Sequence, residues 1–330
     1  MKSTMLGMIR KAAVLGKVLM VAQVLVFFCA LPLLAQSAHA GLSVYVVALG
    51  PNGPQFGTVN LTTGRFAAIA TTPSVMSNLV WWNGSLFSLA TSDPIAGYLV
   101  KINPATGETT VVGPTGLGYD AFELAEVRGK LYLTDFNIGG GTQNIYSVDP
   151  QTGAVVLLGP TGVPADVNAP FTTNADQTLN FCDETFYGVG GNLYATFDSF
   201  NVDESTLAID ANPANPTISP ALYQIDPVSR TTTLVAPTTL FFDAAVEASG
   251  KFYGFKGLTT GFVDGFPVSV STLSTLDLTT GKATFVRNID ASAGVIFGAA
   301  PAPALSGSTT ESGATPSPEE RKVQETKRRR

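Results

Sequence analysis

The chain has 330 residues, 45% of them hydrophobic and 13% charged, with 33 Gly, 21 Pro, 2 Cys, 1 His and a formal net charge of −6. His39 and Cys29 both fall within the first forty residues, which read as an export signal, so Cys182 is the one thiol of the remainder and no histidine is left there. That composition excludes Ser-His or Cys-His catalysis, a His- or Cys-ligated zinc or haem, and an intrachain disulfide; burial has to supply the stability.

At the N-terminus, Lys2, Arg10, Lys11 and Lys17 precede an uncharged apolar run from Val18 to Leu34, Pro32 breaks the helix, and Ala38 and Ala40 flank His39 in an A-x-A pattern. The expected signal peptide is 1–40, with cleavage near Ala40 and a secreted, periplasmic or cell-surface product. The competing reading is an uncleaved anchor, since the run is at the short limit of a spanning helix. A lipoprotein is disfavoured, because Phe28 stands before Cys29 where a small residue is required.

Five related segments follow: QFGTVNLTTGRFAAIATTP from Gln55, GYLVKINPATGETTVVGPTG from Gly97, NIYSVDPQTGAVVLLGPTG from Asn144, ALYQIDPVSRTTTLVAPTT from Ala221 and STLSTLDLTTGKATFVRNID from Ser271. Each is an alternating apolar strand, an Asx pivot (Asn60, Asn103, Asp149, Asp226, Asp277), turn residues and a second strand. An Asx side chain accepts from the backbone two residues on, proline pre-sets φ, and glycine supplies the left-handed residue. Gly64, Gly107, Gly153 and Gly281 fit; Arg230 departs, so its turn is expected to be strained or differently built.

A second hairpin precedes four of the five: SNLVWWNGSLFSLA, AFELAEVRGKLYLTDF, TFYGVGGNLYATF and AAVEASGKFYGF. Four strands per repeat, with pivots 43, 46, 77 and 51 residues apart, predict an all-β fold, a β-propeller of five four-stranded blades over 41–304. The first repeat lacks its innermost strand, and ASAGVIFGAAP from Ala291 is expected to supply it beside SVYVVALG from Ser43. The long spacing predicts insertions in the fourth blade at about 163–178 and 198–220. Residues 305–330, almost without apolar content, read as a disordered polar tail ending in the basic run Lys327–Arg330.

The segments LVKINPATG, IYSVDPQTG and LYQIDPVSR, each followed by a short strand and a GPTG-like loop, resemble exported bacterial β-propellers of the YncE-like and quinoprotein-like groups over about residues 42–300. The resemblance implies fold and export. It carries over no catalytic residue: the tryptophan-docking motifs of quinoprotein enzymes and the histidines of propeller lyases and lactonases find no counterpart here.

Both insertions, and the smaller loop KGLTTGFVDGFP, are expected on one face of the ring, where long loops on a rigid scaffold usually bind. Over 41–304 there are 21 acidic and 9 basic residues, a charge of −12, which repels nucleic acid and attracts cations. Asp198, Asn201, Asp203 and Glu204 offer oxygen ligands for a possible Ca2+ site, although the spacing is not that of an EF-hand. Asp120, Asp243 and Asp290 precede innermost strands and are candidates for the channel mouth; Asp176, Asp183 and Glu184 complete the candidate binding residues. Glu126 and Glu247 align and read as hydrogen-bonding groups at the strand ends. Trp81 and Trp82, adjacent in a strand, must point to opposite faces and read as packing between blades.

These observations favour a non-enzymatic exported propeller, expected to be a monomer with no transmembrane segment after cleavage, that binds a protein or polysaccharide partner or a cation through the insertion-bearing face. A carboxylate-dependent extracellular glycan hydrolase and a structural envelope protein are the alternatives; the first needs two carboxyl groups facing each other at a defined separation.

Overall fold

The computed structural model describes residues 42–135, 143–163, 178–203, 209–210, 220–240, 242–263 and 266–302. The expected signal peptide, the expected tail and most of the two expected insertions lie outside the described residues.

All five Asx pivots build the turn their chemistry dictates. Asn60 Oδ1 accepts from Thr62 N at 2.9 Å, Asn103 Oδ1 from Ala105 N at 3.0 Å, Asp149 Oδ1 from Gln151 N at 2.8 Å, Asp226 Oδ1 from Val228 N at 2.9 Å and Asp277 Oδ1 from Thr279 N at 2.8 Å. Each pivot carbonyl also accepts from the residue four on, including Arg230 N at 2.8 Å. Arg230 has φ +60°, in the same region as Gly153 at +78°. The turn is therefore built like the others, and an arginine carries the left-handed conformation that glycine adopts without penalty.

The second hairpin, present in four of the five repeats, closes through two residues that both have positive φ: Asn83–Gly84, Arg128–Gly129, Gly190–Gly191 and Ser249–Gly250. This is the type I′ geometry whose twist matches that of the strands it joins.

The hairpins assemble into five antiparallel sheets, the blades of a propeller. Blade 1 contains β1 (Ser43–Gly50), β2 (Gly53–Asn60) and β3 (Phe66–Thr71), with β21 (Val295–Pro301) as its innermost strand. Blade 2 is β4 (Met76–Trp82), β5 (Ser85–Ala90), β6 (Tyr98–Ile102) and β7 (Thr109–Pro114); blade 3 is β8 (Ala121–Val127), β9 (Lys130–Asp135), β10 (Asn144–Val148) and β11 (Val155–Pro160). Blade 4 is β12 (Thr178–Val189), β13 (Asn192–Asp203), β15 (Ala221–Asp226) and β16 (Thr231–Pro237), with the short β14 (Ile209–Asp210) added beside β13. Blade 5 is β17 (Ala244–Ala248), β18 (Lys251–Val263), β19 (Phe266–Leu276) and β20 (Ala283–Asn288).

Closure is as the repeat arithmetic requires: β21 pairs antiparallel with β1, from Val44 opposite Pro301 to Leu49 opposite Val295. The indole of Trp81 in blade 2 donates to the Pro301 carbonyl at 2.7 Å and so ties the closing strand to the next blade. Its neighbour Trp82 donates to the Gly129 carbonyl of blade 3 at 2.8 Å. Trp81 packs on the cluster containing Val47 and Phe56, Trp82 on that containing Leu124 and Leu131, so the two rings do serve opposite faces of one strand.

Among the described residues there is no single core. Five apolar clusters occupy the five junctions between blades, filled by alternate residues of each strand, and fully buried Phe56, Leu89, Leu193, Phe242 and Phe255 belong to them. Each such side chain contributes roughly 1.5–3 kcal/mol. The outermost strand of every blade breaks register once against its partner, at Ile69, Val112, Leu158, Val235 and Val286. A bulge at each rim strand twists an edge that would otherwise template further pairing.

Candidate functional site

Within each blade the strands alternate in direction from the channel outward, so the type I′ turns and the Asx turns share one face, the tip face. The other face is the hairpin face. Here blades 4 and 5, which are neighbours, differ from the rest: β12, β13, β18 and β19 have 12, 12, 13 and 11 residues, and their added length projects on the hairpin face. Residues 198–203, expected as part of a loop, continue β13, and the segment around KGLTTGFVDGFP continues β18 and β19.

The backbone register places Asp183 directly opposite Asp198, Asn180 opposite Asn201, and Thr178 opposite Asp203. Because successive strand positions alternate, position 198 lies on one face of this ribbon and positions 201 and 203 on the other. Glu184 pairs with Phe197. Asp176 and Glu204 lie outside the described residues. No group of three or more His, Cys, Asp or Glu side chains suited to a metal occurs among the described residues.

Asp120, Asp243 and Asp290 all sit on the hairpin face ahead of innermost strands, and each is engaged locally. Asp120 ends the 3-10 turn that enters β8. Asp290 caps the corresponding turn before β21, accepting from Ser292 N at 3.0 Å and Ser292 Oγ at 2.8 Å, which holds its carboxyl below the ordinary range. Asp243 lies 3.9 Å from Lys256 Nζ and accepts from Gly257 N; burial pushes its carboxyl up, opposed by the lysine and the amide. Asp243 thus fastens the root of the β18–β19 extension to the start of β17.

A further carboxylate on this face was not singled out in the sequence. Asp135, buried at the end of β9, accepts from Asn144 N at 2.7 Å, Asn144 Nδ2 at 2.9 Å and Tyr146 Oη at 2.7 Å. Burial first, then this bond and the aspartate charge, raise the Tyr146 phenol to about 12. The partners come from β9 and β10, so only strand pairing could have revealed the cluster.

The central channel is narrow. Asn78, on the innermost strand of blade 2, donates from Nδ2 to Leu124 O of blade 3 at 2.9 Å and to Phe186 O of blade 4 at 3.1 Å. A side chain at Gly188 would overlap the Glu126 carbonyl, so glycine is what lets β12 close on β8. Below Asn78 remains a cavity of about 130 Å³ that all five innermost strands line, through residues such as Asn78, Glu126, Phe186, Ala245 and Ala299. Glu126 Oε1 accepts from Gly129 N at 2.5 Å, the strand-end hydrogen bond expected of it.

A larger cavity of about 530 Å³ opens on the tip face where blade 4 meets blade 5. Val189, Phe252, Leu276 and Leu278 form its apolar surface, and Glu247, Lys251, Asp277 and Lys282 add charge. The sequence alone does not mark it: strand register is what sets Val189 of blade 4 at the position that Trp82 holds in blade 2.

Among the described residues no helix is long and apolar enough to cross a membrane. Neither a family model nor a curated protein sequence matches the chain. Among solved structures the chain is similar to one in the nidogen/laminin complex, with a TM-score of 0.45 at 13% identity over 79% of this chain and 99% of that one. It is also similar to TolB from Acinetobacter baumannii, with a TM-score of 0.41 at 12% identity over 79% of this chain and 67% of the other.

Proposed function

We propose that the protein is an exported, non-enzymatic β-propeller of the YncE-like kind whose ring is a rigid mount for a binding surface on the hairpin face. The observation that supports this most is the placement of the two long hairpins: adjoining blades, and only those among the described strands, extend past the ring, and both do so on the same side. Elaboration confined to one sector of a scaffold marks where a partner is met. The described loops on that side carry Asp93, Asp120, Asp243 and Asp290, with Lys256 beside Asp243 and Asp135 buried beneath them. A surface of this sign favours a cation or a basic partner and disfavours nucleic acid.

Calcium is the cation to try first, because the backbone register sets position 183 opposite position 198 on adjoining strands and both are aspartate, the residue class calcium takes as ligand. Thermal unfolding of residues 41–330 is compared with and without millimolar calcium, for the wild type and for Asp183→Asn with Asp198→Asn. A calcium-dependent rise in Tm that the double variant loses supports the cation site, since a ligand selective for the folded state must stabilise it. For the wider reading, residues 259–269 are replaced by Asn-Gly, which joins the paired Leu258 and Val270, and binding to immobilised poly-lysine is measured. Undiminished binding by the shortened protein would sink the assignment to this face.

A further inference from the structure

The tip-face cavity between blades 4 and 5 has a template inside the same molecule. Strand register makes four positions equivalent at the type I′ turns: Trp82 pairs with Ser85, Val127 with Lys130, Val189 with Asn192 and Ala248 with Lys251. In blade 2 the indole of Trp82 crosses to blade 3, donates to Gly129 O at 2.8 Å, and packs against the cluster that holds Leu131 and Val148 and has Val155 at its margin. Two blades further round, Val189 takes the place of Trp82 and Gly250 that of Gly129, while Phe252, Leu276 and Ala283 take the places of Leu131, Val148 and Val155. The indole is missing, and the residue in the place of Val155 is alanine. What remains is the cavity of about 530 Å³, which both Val189 and Gly250 line, a volume in the range of small-molecule sites.

Phe252 is the aromatic residue of the lining, and its ring lies 4.6 Å from that of Tyr187. The rim carries Lys251, Lys282 and Glu247, none of which forms an ion pair with another described residue, whereas Asp277 is occupied by its own turn through Thr279 N. A cavity at the register position of an indole, with Val189, Phe252, Leu276 and Leu278 in its lining, Gly250 at its edge and both ammonium and carboxylate groups on its rim, is complementary to one chemical class. We propose that this cavity binds an aromatic α-amino acid. The ring enters the slot left by the tryptophan of blade 2, its N–H is directed to Gly250 O, the α-carboxylate is held by Lys251 and Lys282, and the α-ammonium faces Glu247. The site is on the opposite face from the proposed partner surface, and neither reading depends on the other.

The test is titration of residues 41–330 with L-tryptophan, followed by saturation-transfer NMR on the ligand, with tryptamine as the probe lacking a carboxylate. Saturable binding with a Kd on the order of 1 mM or tighter is expected for L-tryptophan. Val189→Trp, which refills the slot from within, weakens it at least tenfold. Lys251→Glu with Lys282→Glu, two surface changes, weakens L-tryptophan at least tenfold and leaves tryptamine unaffected or improved. Absence of saturation by the wild type at 20-fold that concentration overturns the proposal, as does a folded Val189→Trp variant that binds like the wild type. Equal loss of both probes in the lysine variant overturns the role of the ammonium groups.

Discussion

Arg230 Nη1 of blade 4 donates to the Leu158 carbonyl of blade 3 at 3.1 Å, across the junction where the other Asx turns present a glycine. Beside Leu158 stands Gly159, at which a Cβ would come within 3.2 Å of the same nitrogen and crowd the contact. Left-handed backbone at a non-glycine residue costs about 1 kcal/mol, and one hydrogen bond returns a similar amount. Arg230→Gly is therefore expected to leave stability within about 0.5 kcal/mol of the wild type, and Arg230→Ala to lower it by about 1 kcal/mol, the cost of losing the bond while keeping the strain. Urea unfolding of the two variants gives the order; a less stable glycine variant would show that the inter-blade bond outweighs the backbone term.

Asn78 joins three blades through two hydrogen bonds, and it is buried. Asn78→Ala leaves the Leu124 and Phe186 carbonyls without that donor, so a loss of about 2–4 kcal/mol is expected in chemical denaturation. Asn78→Asp places a carboxylate against two carbonyl oxygens. Its pKa in the folded state must rise above the unfolded value, so this variant recovers stability as pH falls toward 4 and loses it as pH rises. A variant equally stable at pH 4 and pH 7 would remove Asn78 from this role.

Three Asx turns titrate and two do not. The carboxyls of Asp149, Asp226 and Asp277 are held below their ordinary range, first by the backbone N–H groups of Gln151, Val228 and Thr279, whereas Asn60 and Asn103 are neutral. A depressed folded pKa gives stability that is present above the unfolded pKa, about 3.9, and is lost as pH falls through the folded one. Replacing all three by Asn keeps the acceptor and removes the titration. The acid-unfolding midpoint of the triple variant should move to lower pH; a midpoint unchanged or higher would place acid sensitivity elsewhere.

Ring closure is open to a direct optical test. Trp81 donates to Pro301 O in the closing strand, while Trp82 reaches blade 3. Ending the chain at Gly294 removes β21 and uncovers the apolar residues Val44, Val46 and Ala48 of β1. Loss of cooperative thermal unfolding and red-shifted Trp81 emission, read in a Trp82→Phe background, are expected. Native emission from the shortened chain would mean that four complete blades hold without closure.

Most of the fold could be read before any coordinates, because its rule is local: Asn60 to Gly64 and Asp277 to Gly281 specify their turns by their own hydrogen bonds, and the missing innermost strand of blade 1 was a matter of counting. What escaped was contact between repeats. Nothing near Arg230 announces Leu158, and nothing near Asn78 announces Phe186, 108 residues away. Asp135 and Tyr146 meet only because β9 and β10 pair. The candidate site followed the same division. The face was legible from which loops were long, while the cavity at Val189 emerged only when register made it equivalent to Trp82.

The pairing of β1 with β21 also has a mechanical meaning. Val44, near the start of the first strand, lies opposite Pro301, at the end of the last, so force applied to the two ends of the ring pulls this pair apart from one edge. Its hydrogen bonds are then loaded one after another, as in opening a zip, and not all at once in shear. Under tension the seam yields before the hairpins within blades do, and the ring opens at a place set by its own topology.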